Sequence, residues 1–412
     1  MTLPSGLMNR GFYLILAAQF FSALADNALL FAAIALLKEI SAPDWHVPLL
    51  QLFFILSYIL LAPFVGPYAD SMPKGRVMFV TNFIKLAGCL AMLAGMPPLY
   101  AYAIVGLGAA AYSPAKYGIL TEYLPPGQLV KANSWIEGAT VAAIILGAVM
   151  GGLMISPKFA GAVMHAWGLD AWLSVPQFAI VIIVFLYLGA AWFNLYIPVV
   201  AIDHKPPNRN PMFLLHDFMH SFKLLWKDPL GQVSLAVTTL FWGVGTTLRL
   251  VVLAWAAFNL KFDLTHATQL TAMSAVGIAF GAGAAGKWVK LEDSVKVLPA
   301  GILLGLTVIA MIFVTDWRIA AVLLFCVGLL SGFFVVPLNA LLQHRGHLLM
   351  GAGHSIAIQN FNENIGMLIL LGIYTFMVGN GVHIHWIIAS FGLFISLAMS
   401  FIWRRHRYDR VL

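Results

Sequence analysis

The sequence predicts an all-α membrane protein whose twelve transmembrane helices fall into two pseudo-symmetric halves of six. Three observations carry that prediction. Of 412 residues, 61% are hydrophobic and 9% charged, which leaves too little polar surface for a soluble fold. Apolar runs of about 20 residues, the length that crosses a bilayer, recur along the whole chain. Intramembrane features also repeat: Asp26 and Arg249 lie 223 residues apart, as do Pro114 and Pro337, and Ser134-x-x-Glu137 returns as Asn360-x-x-Glu363 at 226. A parallel duplication of six helices produces such an interval.

The spans are expected near 11–37, 48–69, 77–97, 99–121, 132–154, 174–198, 230–260, 268–286, 297–314, 319–342, 355–378 and 384–403. The first follows a short N-terminal segment with no Ala-x-Ala cleavage pattern, so it reads as a helix that stays. Residues 1–198 form one half, 199–229 a linker containing Pro206-Pro207, and 230–412 the other half. Within the linker, Leu214, Leu215, Phe218, Met219, Phe222, Leu225 and Trp226 recur with helical period opposite His216, Asp217, His220, Lys223 and Lys227, the pattern of an amphipathic helix at the membrane surface. Gly147/Gly151, Gly277/Gly281, Gly301/Gly305 and Gly328/Gly332 supply small faces for close helix packing.

The net charge of +7 is topological and does not point to nucleic acid. With a cytoplasmic N-terminus, sixteen of the 23 basic residues fall on that side, four on the other and three, Lys85, Lys116 and Arg249, within spans. Both termini are therefore expected to be cytoplasmic. Cys89 and Cys326 sit in different halves inside spans and imply no disulfide. No Walker A sequence occurs, which argues against direct use of ATP. No catalytic group, metal or cofactor is expected. His383-x-His385 lacks further ligands, and His165-x-x-x-x-Asp170 has an acyltransferase spacing but lies in a short external loop.

Gly66, Asp70, Lys74, Gly75 and Arg76, between the second and third spans, resemble the major facilitator loop motif, with Gly75 displaced from its usual spacing. A gating role for Asp70, Lys74 and Arg76 follows from that resemblance. Five further segments resemble the bacterial lysophospholipid transporter family within that superfamily. They are Ser22–Asn27, Tyr112–Leu120, Leu129–Glu137, Trp242–Leu250 and Gln359–Asn364. The resemblance implies a major facilitator fold in the bacterial inner membrane. It implies movement of lysophosphatidylethanolamine and lysophosphatidylglycerol from the outer to the inner leaflet. A separate acyltransferase/acyl-carrier-protein ligase would then re-esterify them, alongside the membrane lipids as surroundings.

A single-tailed phospholipid presents a phosphodiester and in some cases an ammonium. Arg249 can hold phosphate through its fork and Lys116 as a point charge, Asp26 can receive ammonium, and Asn27, Asn339 and Gln359 offer neutral hydrogen bonds. A charge at the middle of a span costs roughly 2.5–3.5 kcal/mol on insertion scales, so Asp26 and Arg249 are also expected as a structural pair joining the halves. Lys116 and Lys85 read alternatively as interfacial anchors. Glu137 and Glu363 read either as gate residues or as the acids of capping boxes at helix starts. A proton-coupled exporter of drugs or small amphiphiles, with Asp26 titrating, is the alternative within transport.

Overall fold

A computed structural model of the chain describes residues 7–43, 45–200, 210–262 and 264–406. Pro206-Pro207, Lys205, Arg209, Arg407 and Arg410 lie outside them. Fourteen α-helices and no strand occur among the described residues: α1 (Arg10–Glu39), α2 (His46–Asp70), α3 (Lys74–Leu93), α4 (Pro98–Tyr123), α5 (Leu129–Met154), α6 (Pro157–Ala166), α7 (Val175–Leu195), α8 (Pro211–Lys227), α9 (Pro229–Asn259), α10 (Leu264–Trp288), α11 (Leu298–Ala310), α12 (Trp317–Leu349), α13 (Ala352–Gly379) and α14 (Ile384–His406). Among the described residues ten helical segments are long and apolar enough to cross a membrane, α11 only together with the 3₁₀ turns Leu291–Val297 and Met311–Phe313 that flank it. The helices α4 and α10, 26 and 25 residues long, reach spanning length with Gly, Ala, Ser and Thr diluting their hydropathy. Together these make the twelve expected spans, and α6 and α8 are the two additions.

Helix starts follow local chemistry. Asn9 caps α1 by accepting from the Phe12 amide and also accepts from the Tyr123 hydroxyl at 2.6 Å. Ser174 and Gln177 form a full capping box on α7. The loop expected around His165 is instead helical over α6, launched by Pro157 directly after Ser156 and packed through Ala160 and Met164 onto Phe178.

The chain divides into two compact units, Met1–Tyr123 with Ala142–Phe218 and Ala352–Ala357, and Leu124–Val141 with Met219–Gly351 and Ile358–Leu412. In the first unit, small residues of α1 (Ala25, Ala28, Ala32, Ala33) let Leu86, Cys89 and Met92 of α3, Tyr102 and Val105 of α4, and Ile180, Ile183 and Tyr187 of α7 close around it. In the second unit, α10 and α12 approach through glycine. A Cβ on Gly277 or Gly281 would strike the Phe325 or Leu329 carbonyl, and one on Gly328 or Gly332 the Ser274 or Ile278 carbonyl. This reciprocal contact is the packing read from the paired glycines.

Replacing Gly281 with Val is therefore expected to destabilise the protein by about 1–3 kcal/mol through overpacking. Gly283→Ala, two residues on, is expected to be neutral, because an added methyl there would meet nothing within 4 Å. Thermal unfolding in detergent compares the two.

Candidate functional site

The first unit holds a polar cluster in the middle of its membrane helices. Lys85 of α3 is 1% exposed, and its Nζ donates to Asp26 Oδ2 of α1 at 2.8 Å and to Ser22 Oγ at 3.0 Å. The Tyr187 hydroxyl of α7 donates to the other Asp26 oxygen at 2.6 Å. Ser22 in turn donates to Asn82 Oδ1 at 2.9 Å. The Lys85 ammonium also lies 4.6 Å from the Tyr112 ring centre. Gly108 of α4 makes room for the lysine stem, since a Cβ there would sit 2.7 Å from Lys85 Cγ. Beside this cluster opens a cavity of about 70 Å³ walled by Gln19, Asp26, Tyr58, Lys85, Tyr112 and Lys116. Lys116 Nζ stands 4.2 Å from the Tyr117 ring centre.

A second cluster forms where α2 ends. Lys74, at the start of α3, donates to Asp70 Oδ1 at 2.6 Å and to the Ala69 carbonyl at 2.8 Å, and pairs with Glu122 of α4 at 3.0 Å. Asp70 also accepts from the Gly353 and His354 amides at the start of α13, at 2.8 and 3.1 Å, and meets His354 Nδ1 at 2.8 Å. His354 Nε2 faces Asp217 of α8 at 3.2 Å, so the imidazole lies between two carboxylates. Two glycines permit this. Gly351 turns the chain from α12 into α13 at φ +102°, and a Cβ on Gly353 would sit 2.6 Å from Asp70 Oδ1.

In the second unit, Gln359 Nε2 of α13 donates to Asn339 Oδ1 of α12 at 2.9 Å and to Glu363 Oε1 at 2.7 Å. Asn133 of α5 and Gln343 of α12, both nearly inaccessible, exchange two amide hydrogen bonds of 2.8 Å. Arg345 grips Asp228, the N-cap of α9, through Nε and Nη2 at 2.7–3.1 Å.

A family model described as Major Facilitator Superfamily matches residues 15–371. The lysophospholipid transporter LplT of Yersinia enterocolitica (serotype O:8 / biotype 1B) is 45% identical over 377 residues, covering 91% of this chain and 89% of that one. LplT of Yersinia pestis (strain Pestoides F) is 46% identical over 376 residues, covering 91% and 88%. This chain belongs to the LplT family of the Major Facilitator Superfamily. Among solved structures, this LplT-family chain is similar to the transporter FucP in the outward conformation (TM-score 0.74, 14% identity, 96% and 98% covered). It is also similar to the human organic anion transporter MFSD10 (TM-score 0.68, 14% identity, 95% and 99% covered). At that identity the likeness concerns the fold.

Several expected site residues come together: Asp26 with Lys116 on one cavity, Asp70 with Lys74, and Asn339 with Gln359 and Glu363. Three expectations are corrected. Asp26 pairs with Lys85 rather than Arg249, which is exposed on α9 and has no ion pair among the described residues. Lys85 is no interfacial anchor, because its ammonium turns inward to Asp26 and Ser22. The capping-box reading of Glu137 and Glu363 fails because α5 starts at Leu129 and α13 at Ala352, placing both acids well inside helices. Arg76 is exposed and outside the Asp70 cluster, and Asn27 donates to the Ala23 carbonyl of its own helix at 2.8 Å. Sequence reasoning missed Tyr187, Glu122, His354, Asp217 and Gln343. Lys85 alone had left a usable signal, a lysine within a span opposite in charge to Asp26.

Lys85→Met is expected to lower stability by about 3 kcal/mol by orphaning Asp26, and adding Asp26→Asn to recover most of the loss. Arg249→Gln should leave the unfolding midpoint in place. A midpoint drop in Arg249→Gln matching that of Lys85→Met, read by thermal unfolding in detergent, would overturn the Asp26–Lys85 assignment.

Proposed function

We propose that this chain carries lysophospholipids, chiefly lysophosphatidylethanolamine and lysophosphatidylglycerol, from the outer to the inner leaflet of a bacterial inner membrane by alternating access. The observation that carries this reading is 45–46% identity, over 91% of the chain, to proteins named lysophospholipid transporters. The cavity chemistry supports it. Lys85, Lys116 and Asp26 share its wall, which brings cationic and anionic side chains together where a phosphodiester with an ammonium needs both. Lys116, on the cavity wall, is the phosphate ligand proposed here, with exposed Arg249 the second. Asn27, Asn339 and Gln359 stay proposed as neutral contacts. For Asp26 to receive an ethanolamine ammonium, it must exchange Lys85 or Tyr187 for it.

Asp70 and Lys74 are the proposed gate, supported by the four groups from α3 and α13 that converge on the Asp70 carboxylate. Glu137, Glu363 and Arg76 are further proposed gate residues. The chain works as a carrier and not an enzyme. His165 and Asp170 do pair at 3.0 Å, but their side chains are 86% and 50% exposed. Both termini are proposed to be cytoplasmic, and a separate acyltransferase/acyl-carrier-protein ligase to consume the delivered lipid.

Proteoliposomes loaded with fluorescent lysophosphatidylethanolamine test the reading. Wild-type protein is expected to move the lipid with or without a pH gradient, and Lys116→Ala to slow uptake by about tenfold or more, as loss of a charge-assisted hydrogen bond implies, with Lys116→Arg retaining most of it. Absence of lysolipid uptake, together with gradient-dependent movement of other amphiphiles, would favour the exporter. In the same assay, Gly353→Ala is expected to reduce uptake by displacing Asp70 from the α13 amides; unchanged uptake would remove the gate from this loop.

A further inference from the structure

Where α14 ends, its last turns meet the end of α8 and the first turns of α9. Trp226, Val233, Ala236, Phe401 and Ile402, with Gln232 and His406, line a cavity of about 130 Å³ whose rim carries Arg405. At roughly 30 Å³ per molecule the volume would admit about four waters, but the surface that faces it is almost wholly apolar and suits an apolar guest. The rim is cationic. Arg404 and Arg405 end α14 and Lys227 ends α8, all three exposed. The nearby acid, Asp228, is already paired with Arg345. Phe401 is 66% exposed and Trp226 half-buried, so aromatic side chains flank the groove as they do at membrane interfaces.

We propose that this groove is a binding site for an anionic two-chain phospholipid of the surrounding leaflet, with an acyl segment against Val233, Ala236 and Phe401 and its phosphate on Arg405. An arginine fork over an apolar cleft meets both parts of such a lipid, since guanidinium takes phosphate oxygens in pairs and the cleft takes methylenes. Arg404 and Lys227 add the field that draws a negative head group. The site shares no residue with the cavity around Lys85 and Lys116, so it stands or falls independently of the transport reading.

The full-length protein in nanodiscs supplies the test. Chain-brominated phosphatidylglycerol and phosphatidylcholine are added at equal low mole fraction, and quenching at Trp226 is isolated as the difference between wild type and W226F. Phosphatidylglycerol is expected to be preferred about fivefold, as one or more basic side chains at a membrane surface imply. R405K keeps the preference and R404Q/R405Q removes it. Native mass spectrometry of the same variants reads retained phosphatidylglycerol without relying on Trp226. Equal quenching by the two lipids would overturn the proposal, as would a preference that survives R404Q/R405Q. Displacement by soluble glycerol phosphate would also overturn it, because the groove would then be a phosphate site and not a lipid site.

Discussion

A lysine ammonium in the interior of a membrane helix bundle has no water to solvate it, and Lys85 resolves that problem by gathering partners from three other helices. Asp26 supplies the opposite charge from α1, Ser22 a second acceptor one turn away, and the Tyr112 ring of α4 a π face. Tyr187 of α7 then satisfies the carboxylate oxygen that the lysine does not use. The result is a polar knot with defined positions for α1, α3, α4 and α7, wrapped in the alanine-rich packing of α1. A cavity bordered by this knot inherits fixed charges, with Lys116 on its wall beside the Asp26–Lys85 couple.

The Asp70 cluster solves a different problem, the exposed amides at a helix start. The first amides of α13 have no partners within their own helix, and a carboxylate from another part of the chain accepts from two of them. His354 extends the same contact to α8, which is further tied to α13 through Phe222 against Phe361 and through Trp226 to Asn362 at 3.2 Å. The linker helix is thus more than an apolar stripe on a surface. Phe218 and Leu225 are buried, whereas Leu215 and Met219 of the same expected stripe are exposed.

Helix existence and order were legible because hydropathy and length are summed over twenty residues and tolerate local noise. The glycine pairs were legible because backbone approach demands a missing side chain at a fixed spacing. Pairing of charges was not. The 223-residue repeat relates Asp26 to Arg249 by symmetry, but contact depends on which helices are neighbours, and α1 packs on α3 and α7 through its own alanines. The same limit hid His354 and Asp217, which lie 137 residues apart and meet only because α8 runs along α13. Capping boxes failed for a local reason. The chain enters α5 through a short 3₁₀ turn at Pro126–Gln128 and α13 directly after Gly351, so both helices begin earlier than the polar triplets suggested.

The glycine seam between α10 and α12 has a mechanical corollary. With backbone carbonyls of one helix seated where side chains of the other would be, neither can twist or slip without collision, so the two behave as one stiff plank. Flexure during a working cycle must then be absorbed away from this seam. Pro63 and Pro67 in α2, Pro114 in α4 and, past the seam, Pro337 in α12, each of which deletes a rung from its own ladder, are the places built to yield.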